Sequence, residues 1–201
     1  KFLEKEASIL LQSPQDEQAQ SSFLRVSTFL QSVVGQLQGY PAAVEVGKEL
    51  VGIAESLLEI FPQSISNMMF VVQAHHIAGH NHQQNGQRDA ALASYREGIR
   101  YCELAFENQM RTAGFIYQKL ELEVHCLQLL TADQPDTALQ NQWESVQAMG
   151  EELLVIRGPE GTQVQLAGNQ FRSAIRMMVE LGRHEEALGW ESRWKVAKRL
   201  P

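Results

Sequence analysis

Proline and glycine interrupt this chain roughly every 20 residues, and between the interruptions apolar residues recur at helical spacing. Val and Ile are scattered instead of alternating, so nothing between the breaks favours strands. The pattern reads as a short lead-in helix over 1–11, stopped at Ser13-Pro14, followed by eight main helices. These cover 16–37, 42–61, Ser64 or Ser66 to about 84, 89–106, about 109–131, 138–157, 162–181 and 184–199. In the first of them Phe23, Leu24, Val26, Phe29, Leu30, Val33, Val34 and Leu37 form an apolar stripe. Pro41 suits the first turn of the next helix, and a serine at 64 or 66 suits an N-cap. Loops this short predict antiparallel helical hairpins in an all-α fold, with no linker composition dividing 1–201 into two domains.

At 201 residues and 44% hydrophobic, such a chain can bury a substantial core as one domain. The net charge of −7 argues against direct nucleic-acid binding, because phosphate neutralisation needs clustered Lys and Arg. Cys102 and Cys126 lie in strongly helical segments and read as reduced core residues. No apolar run reaches the roughly 18 residues of a membrane span, and Lys1 to Leu11 mixes charge with apolar residues, unlike a leader. The expectation is a soluble, cytoplasmic protein. Its start at Lys suggests a domain excised from a larger polypeptide. There is no G-x-S-x-G elbow, no phosphate-binding G-x-x-x-x-G-K-S/T and no distinguished carboxylate pair, so neither an enzyme nor a cofactor is expected.

The stretch from His75 to Tyr101 carries the most specific pattern. Its first helix has His75-x2-Ala78-Gly79-x2-His82 and its second has Ala91-x3-Tyr95, with Gly86 at the corner and Gly98 at a later small position. Small residues at Gly79 and Ala91 allow two helices to approach closely, while Tyr95 and the rings of His75 and His82 fill the gaps. This resembles the tetratricopeptide repeat, whose helices follow W-x2-L-G-x2-Y and A-x3-F. His75 and His82 depart from the aromatic positions, and Glu103 stands where the family often has Pro. A weaker copy follows at Phe171-x2-Ala174-x3-Met178 with Gly182 and Ala187. Residues 109–157 offer a third, with Leu122, Cys126, Leu129 and Ala138. The spacing between copies exceeds the family period, and the helices look elongated.

The resemblance implies an array of antiparallel helix pairs whose first helices line a concave, partner-binding face. On that reading Gln73, His76, His80 and Gln83, with Asn169, Arg172 and Arg176 in the terminal copy, share helical stripes that face a protein or peptide partner. Amides would hydrogen-bond a peptide backbone and guanidinium groups a carboxylate. The plain alternative is a solvated polar face. A regulatory or sensor domain of a larger signalling or transcription protein is the main rival function. His76 and His80, four apart, also invite a metal-binding reading, weakened by the absence of H-E-x-x-H and of any nearby Cys. Trp143, Trp190 and Trp194 read as packing elements, and Lys195, Lys198 and Arg199 as a locally basic end.

Overall fold

The computed structural model describes residues 17–130, 136–155 and 184–197, with isolated positions at Ser8, Leu10, Arg172, Ile175, Arg176, Val179, Glu180 and Gly182. Among these the regular structure is entirely α-helical, as expected from the sequence. The helices are α1 (Glu17–Gln38), α2 (Tyr40–Ile60), α3 (Ile65–Gln84), α4 (Arg88–Glu107), α5 (Ala113–Leu129), α6 (Asp136–Val155) and α7 (His184–Ala197). The lead-in helix over 1–11 and the helix over 162–181 lie largely outside the described residues. No described helix is long and apolar enough to cross a membrane. The chain packs as two compact units, Lys1–Arg111 and Thr112–Pro201.

Local signals start and stop the helices. Gly39, at φ +87, turns the chain, and Pro41 occupies the first turn of α2. Ser64 Oγ accepts the Asn67 N–H at 3.2 Å and caps α3, while Thr112 Oγ1 does the same for Phe115 at the start of α5. The chain leaves α3 through Gly86 at φ +71, with Gly86 N–H bonded to Gln83 O and Gln87 N–H to His82 O. That is a Schellman ending, whose left-handed residue is best supplied by glycine. α4 ends the same way, yet its left-handed residue is Gln109 at φ 61.

In the first unit successive helices pack antiparallel, most extensively α3 on α4 and α2 on α3. Two buried asparagines bolt α2 to α3 at opposite ends. Asn67 Nδ2 donates to Leu57 O and Asn81 Nδ2 donates to Ala43 O, both at 3.1 Å. Between them Gly47 admits α3: a Cβ there would stand 3.0 Å from Asn81 Nδ2 and 3.4 Å from Ala78 Cα. α1 crosses back to touch α3 as well as α2, with Phe23 edge-on to Phe70 at 5.9 Å. The eight-residue apolar stripe of α1 therefore divides. Phe23 and Val34 are buried, whereas Val26, Phe29 and Leu37 are exposed, because among the described residues α2 and α3 pack on one side of α1.

The second unit is built on the α5–α6 hairpin and closed by α7. Leu120, Val124, Leu127 and Leu130 from the α5 side meet Trp143 and Val146 of α6 and Ala187 and Trp190 of α7. The two indoles lie 4.6 Å apart, and Gln147 Oε1 accepts from Trp143 Nε1 at 3.1 Å and from Trp190 Nε1 at 2.7 Å. These tryptophans are packing elements, and the side chain of Trp194 lies outside the described residues.

Candidate partner-binding groove

Gly79, Ala91 and Tyr95 are all buried where α3 meets α4. Close approach at Gly79 brings the Tyr95 ring against the α3 backbone and fixes which faces of α3 remain for other uses. His75 belongs to the same seam. It is 7% exposed, stacks on Tyr101 with ring centroids 5.5 Å apart, and donates through Nε2 to Glu55 Oε1 at 3.2 Å. Burial pulls its pKa below the usual imidazole value, against the opposing pull of Glu55. Tyr101 OH also donates to Glu55 Oε1, at 3.2 Å, and the Arg100 guanidinium lies 4.3 Å from the centre of the Tyr101 ring. His82 Nδ1–H donates to Gln87 Oε1 at 2.7 Å across the turn and so braces the corner between α3 and α4.

Beside this seam lies a cleft of about 520 Å³ between α3, α1 and the start of α2. α3 contributes His76, Ile77, His80 and Gln84 to its wall. α1 faces them with Thr28, Ser32 and Gln36, and Tyr40 stands at the α1–α2 corner. None of the lining residues carries a carboxylate, ammonium or guanidinium group. Burial, with a smaller push from His80, holds the His76 imidazole down to about 4, so it is neutral at ordinary pH. A neutral imidazole offers one donor and one acceptor, and amides and hydroxyls offer both. The described lining is thus rich in hydrogen-bonding groups and contributes no formally charged side chain of its own.

Of the residues expected to face a partner, this cleft brings together His76 and His80. Gln73 is half-buried and outside the lining. Gln83 is outside the lining, and its Oε1 accepts the Tyr95 hydroxyl of α4 at 2.8 Å. Arg172 and Arg176 are helical and exposed in the second unit, and Asn169 lies outside the described residues. Thr28, Ser32, Gln36, Tyr40 and Gln84 were not anticipated. The repeat signature does not extend to α1, so nothing in that motif pointed to it. Its one usable signal is the run from Val26 to Val44, which contains no charged residue.

No protein-family model, curated protein or solved structure matches the chain.

Proposed function

We propose that this chain is a tetratricopeptide-like interaction scaffold that holds an uncharged segment of a partner protein between α1 and α3, and that it performs no catalysis. The observation carrying this reading is the composition of the cleft wall: hydroxyls, side-chain amides and imidazoles face one another with no fixed charge among them. Such a wall suits a peptide backbone, which presents alternating neutral donors and acceptors. It favours charged side chains less, since they would lose water and the lining residues themselves supply no counter-ion. The Phe23–Phe70 contact and the Asn81–Ala43 bond hold α1, α2 and α3 in place without a ligand, so little ordering cost falls on the receptor.

The test is selection from a random-peptide phage library on the immobilised chain, followed by titration of synthetic peptides against Gln36→Ala, His80→Ala and Arg172→Ala variants. Selected peptides should be poor in charge across their central residues. They should lose at least about tenfold in affinity, roughly 1.4 kcal/mol, with Gln36→Ala or His80→Ala, and keep it with Arg172→Ala. Peptides that bind every variant equally, or whose binding depends on Arg172 alone, would remove the cleft from the account.

A further inference from the structure

We infer that α5 carries a binding site for a divalent transition-metal ion, held by Glu121 and His125 and braced by Gln118 and Gln128. These four residues follow steps of three and four, so they share one stripe of the helix, while Leu120, Val124 and Leu127 supply its core contacts. Glu121 and His125 stand one turn apart and are both half-buried. Each offers one ligand atom, and the two atoms lie within 4.8 Å of each other. Two ligands about 2.1 Å from a tetrahedral ion stand about 3.4 Å apart, so small side-chain rotations close the chelate.

Hydrogen bonds already orient both ligands. His125 Nδ1–H donates to Gln128 Oε1 at 3.2 Å, which fixes the tautomer and leaves the lone pair on Nε2. Proteins orient ligating imidazoles in this way, through an acceptor on the other ring nitrogen. Gln118 Nε2 donates to Glu121 Oε2 at 3.4 Å and steadies the carboxylate. The oxygen of that same amide supplies an independent observation. Gln118 Oε1 is buried, and among the described residues nothing donates to it. An orphaned buried acceptor is costly, and an ion with its bound water is one remedy. Because the Gln118 amide touches the Glu121 carboxylate, water on an ion held there can donate to Oε1.

Ligand chemistry selects the ion. Imidazole with carboxylate suits Zn²⁺ and its first-row neighbours, whereas Mg²⁺ and Ca²⁺ take oxygen ligands. Two protein ligands leave two of the four zinc positions to water, so the site is open and its affinity moderate, with Kd on the order of 10 µM.

The experiment is isothermal titration calorimetry of Zn²⁺ into the full chain, stripped with chelator and dialysed, with Mg²⁺ titrated in parallel. The variants are Glu121→Gln, His125→Ala and Gln118→Leu, with His80→Ala as control because His76 and His80 form a rival pair at the same spacing. Circular dichroism verifies helix content, and Glu121→Gln, which preserves side-chain volume, decides the matter if His125→Ala perturbs folding. The expected result is one saturable Zn²⁺ site per chain and none for Mg²⁺. Glu121→Gln and His125→Ala should weaken it at least about tenfold, Gln118→Leu about tenfold, and His80→Ala should leave it unchanged. Zinc should also raise the urea midpoint of the second unit, followed through Trp143 and Trp190, and should fail to do so in Glu121→Gln. The absence of saturable zinc binding below roughly 1 mM would overturn the inference. So would binding that survives Glu121→Gln and His125→Ala, binding lost with His80→Ala, or equal binding of Mg²⁺. None of these results bears on the peptide reading of the cleft, which is tested by peptide affinity.

Discussion

The Tyr95 ring lies against the bare backbone of Gly79, and its hydroxyl donates to Gln83 one turn along the same helix. A Cβ at Gly79 would stand 3.0 Å from Tyr95 Cζ and closer still to two further ring carbons. The ring is fully buried and has little room to retreat. Gly79→Ala gains about 1 kcal/mol of helix propensity and loses more to overpacking, for a net destabilisation of about 1–3 kcal/mol. Gly52, also helical, has nothing within 4 Å of its would-be Cβ, so Gly52→Ala should stabilise by about 0.5–1 kcal/mol. Urea denaturation of the two variants checks the opposite signs. Equal effects would mean that the Gly79–Tyr95 contact is not what holds α3 to α4.

The matched endings of α3 and α4 allow a second comparison. Gly86→Ala places a Cβ at φ +71 and should cost about 1 kcal/mol. Gln109→Gly relieves the same conformation at φ 61 and should gain about 0.5–1 kcal/mol, less the added freedom of the unfolded chain. Thermal melts of both variants provide the readout.

Acid should loosen the fold before the carboxylates titrate. His75 and His76 both have folded pKa values below 6.5, chiefly through burial, so the unfolded chain binds more protons than the folded one as pH falls. Their contribution is complete above pH 6.5 and is lost progressively toward about 4 for His76. Glu55, Glu97, Arg100 and Tyr101 surround His75, and the two glutamates reduce its share by favouring the imidazolium. Allowing for solvent at the half-buried His76 ring, the loss between pH 7.5 and 5 is roughly 1–2 kcal/mol. Urea midpoints across that window should fall for the wild type and flatten for His76→Gln.

In the second unit, Glu123 sets the register of α5 on α6. Its carboxylate is buried, accepts from Ser145 Oγ at 2.7 Å and from the Gln142 amide, and has Lys119 Nζ at 3.9 Å. Removing the acceptor that these donors share should be expensive. Glu123→Ala is expected to destabilise by about 2–4 kcal/mol, and Ser145→Ala by about 1 kcal/mol. The Trp143–Trp190 pair reports on this unit, so the loss should appear in tryptophan fluorescence during unfolding.

Helix positions were legible because their signals are local. Pro41, Ser64 and Gly86 act on the backbone next to them, and among the described helices the observed ends fall within a few residues of those expected, with Ser64, one of the two serines expected there, capping α3. Gly79, Ala91 and Tyr95 were legible too, because a small residue facing a large one has meaning only where helices touch. The groove was half legible. His76 and His80 share a stripe that any helix would create, but the opposing wall comes from α1, which carries no repeat signature. The bond that Gln83 accepts from the Tyr95 hydroxyl was not legible, because it joins two helices.

Periodicity and punctuation alone therefore determined that the chain is helical, where it turns, and which small residues sit at a helix contact, since each depends on neighbours in the sequence. Packing decided the rest. Which side of α1 is covered, which of two nearby glutamines lines the cleft, and what meets the Tyr95 hydroxyl all depend on how separate helices rotate against each other. A helix has the same stripes whatever it packs on, and only its neighbours choose among them.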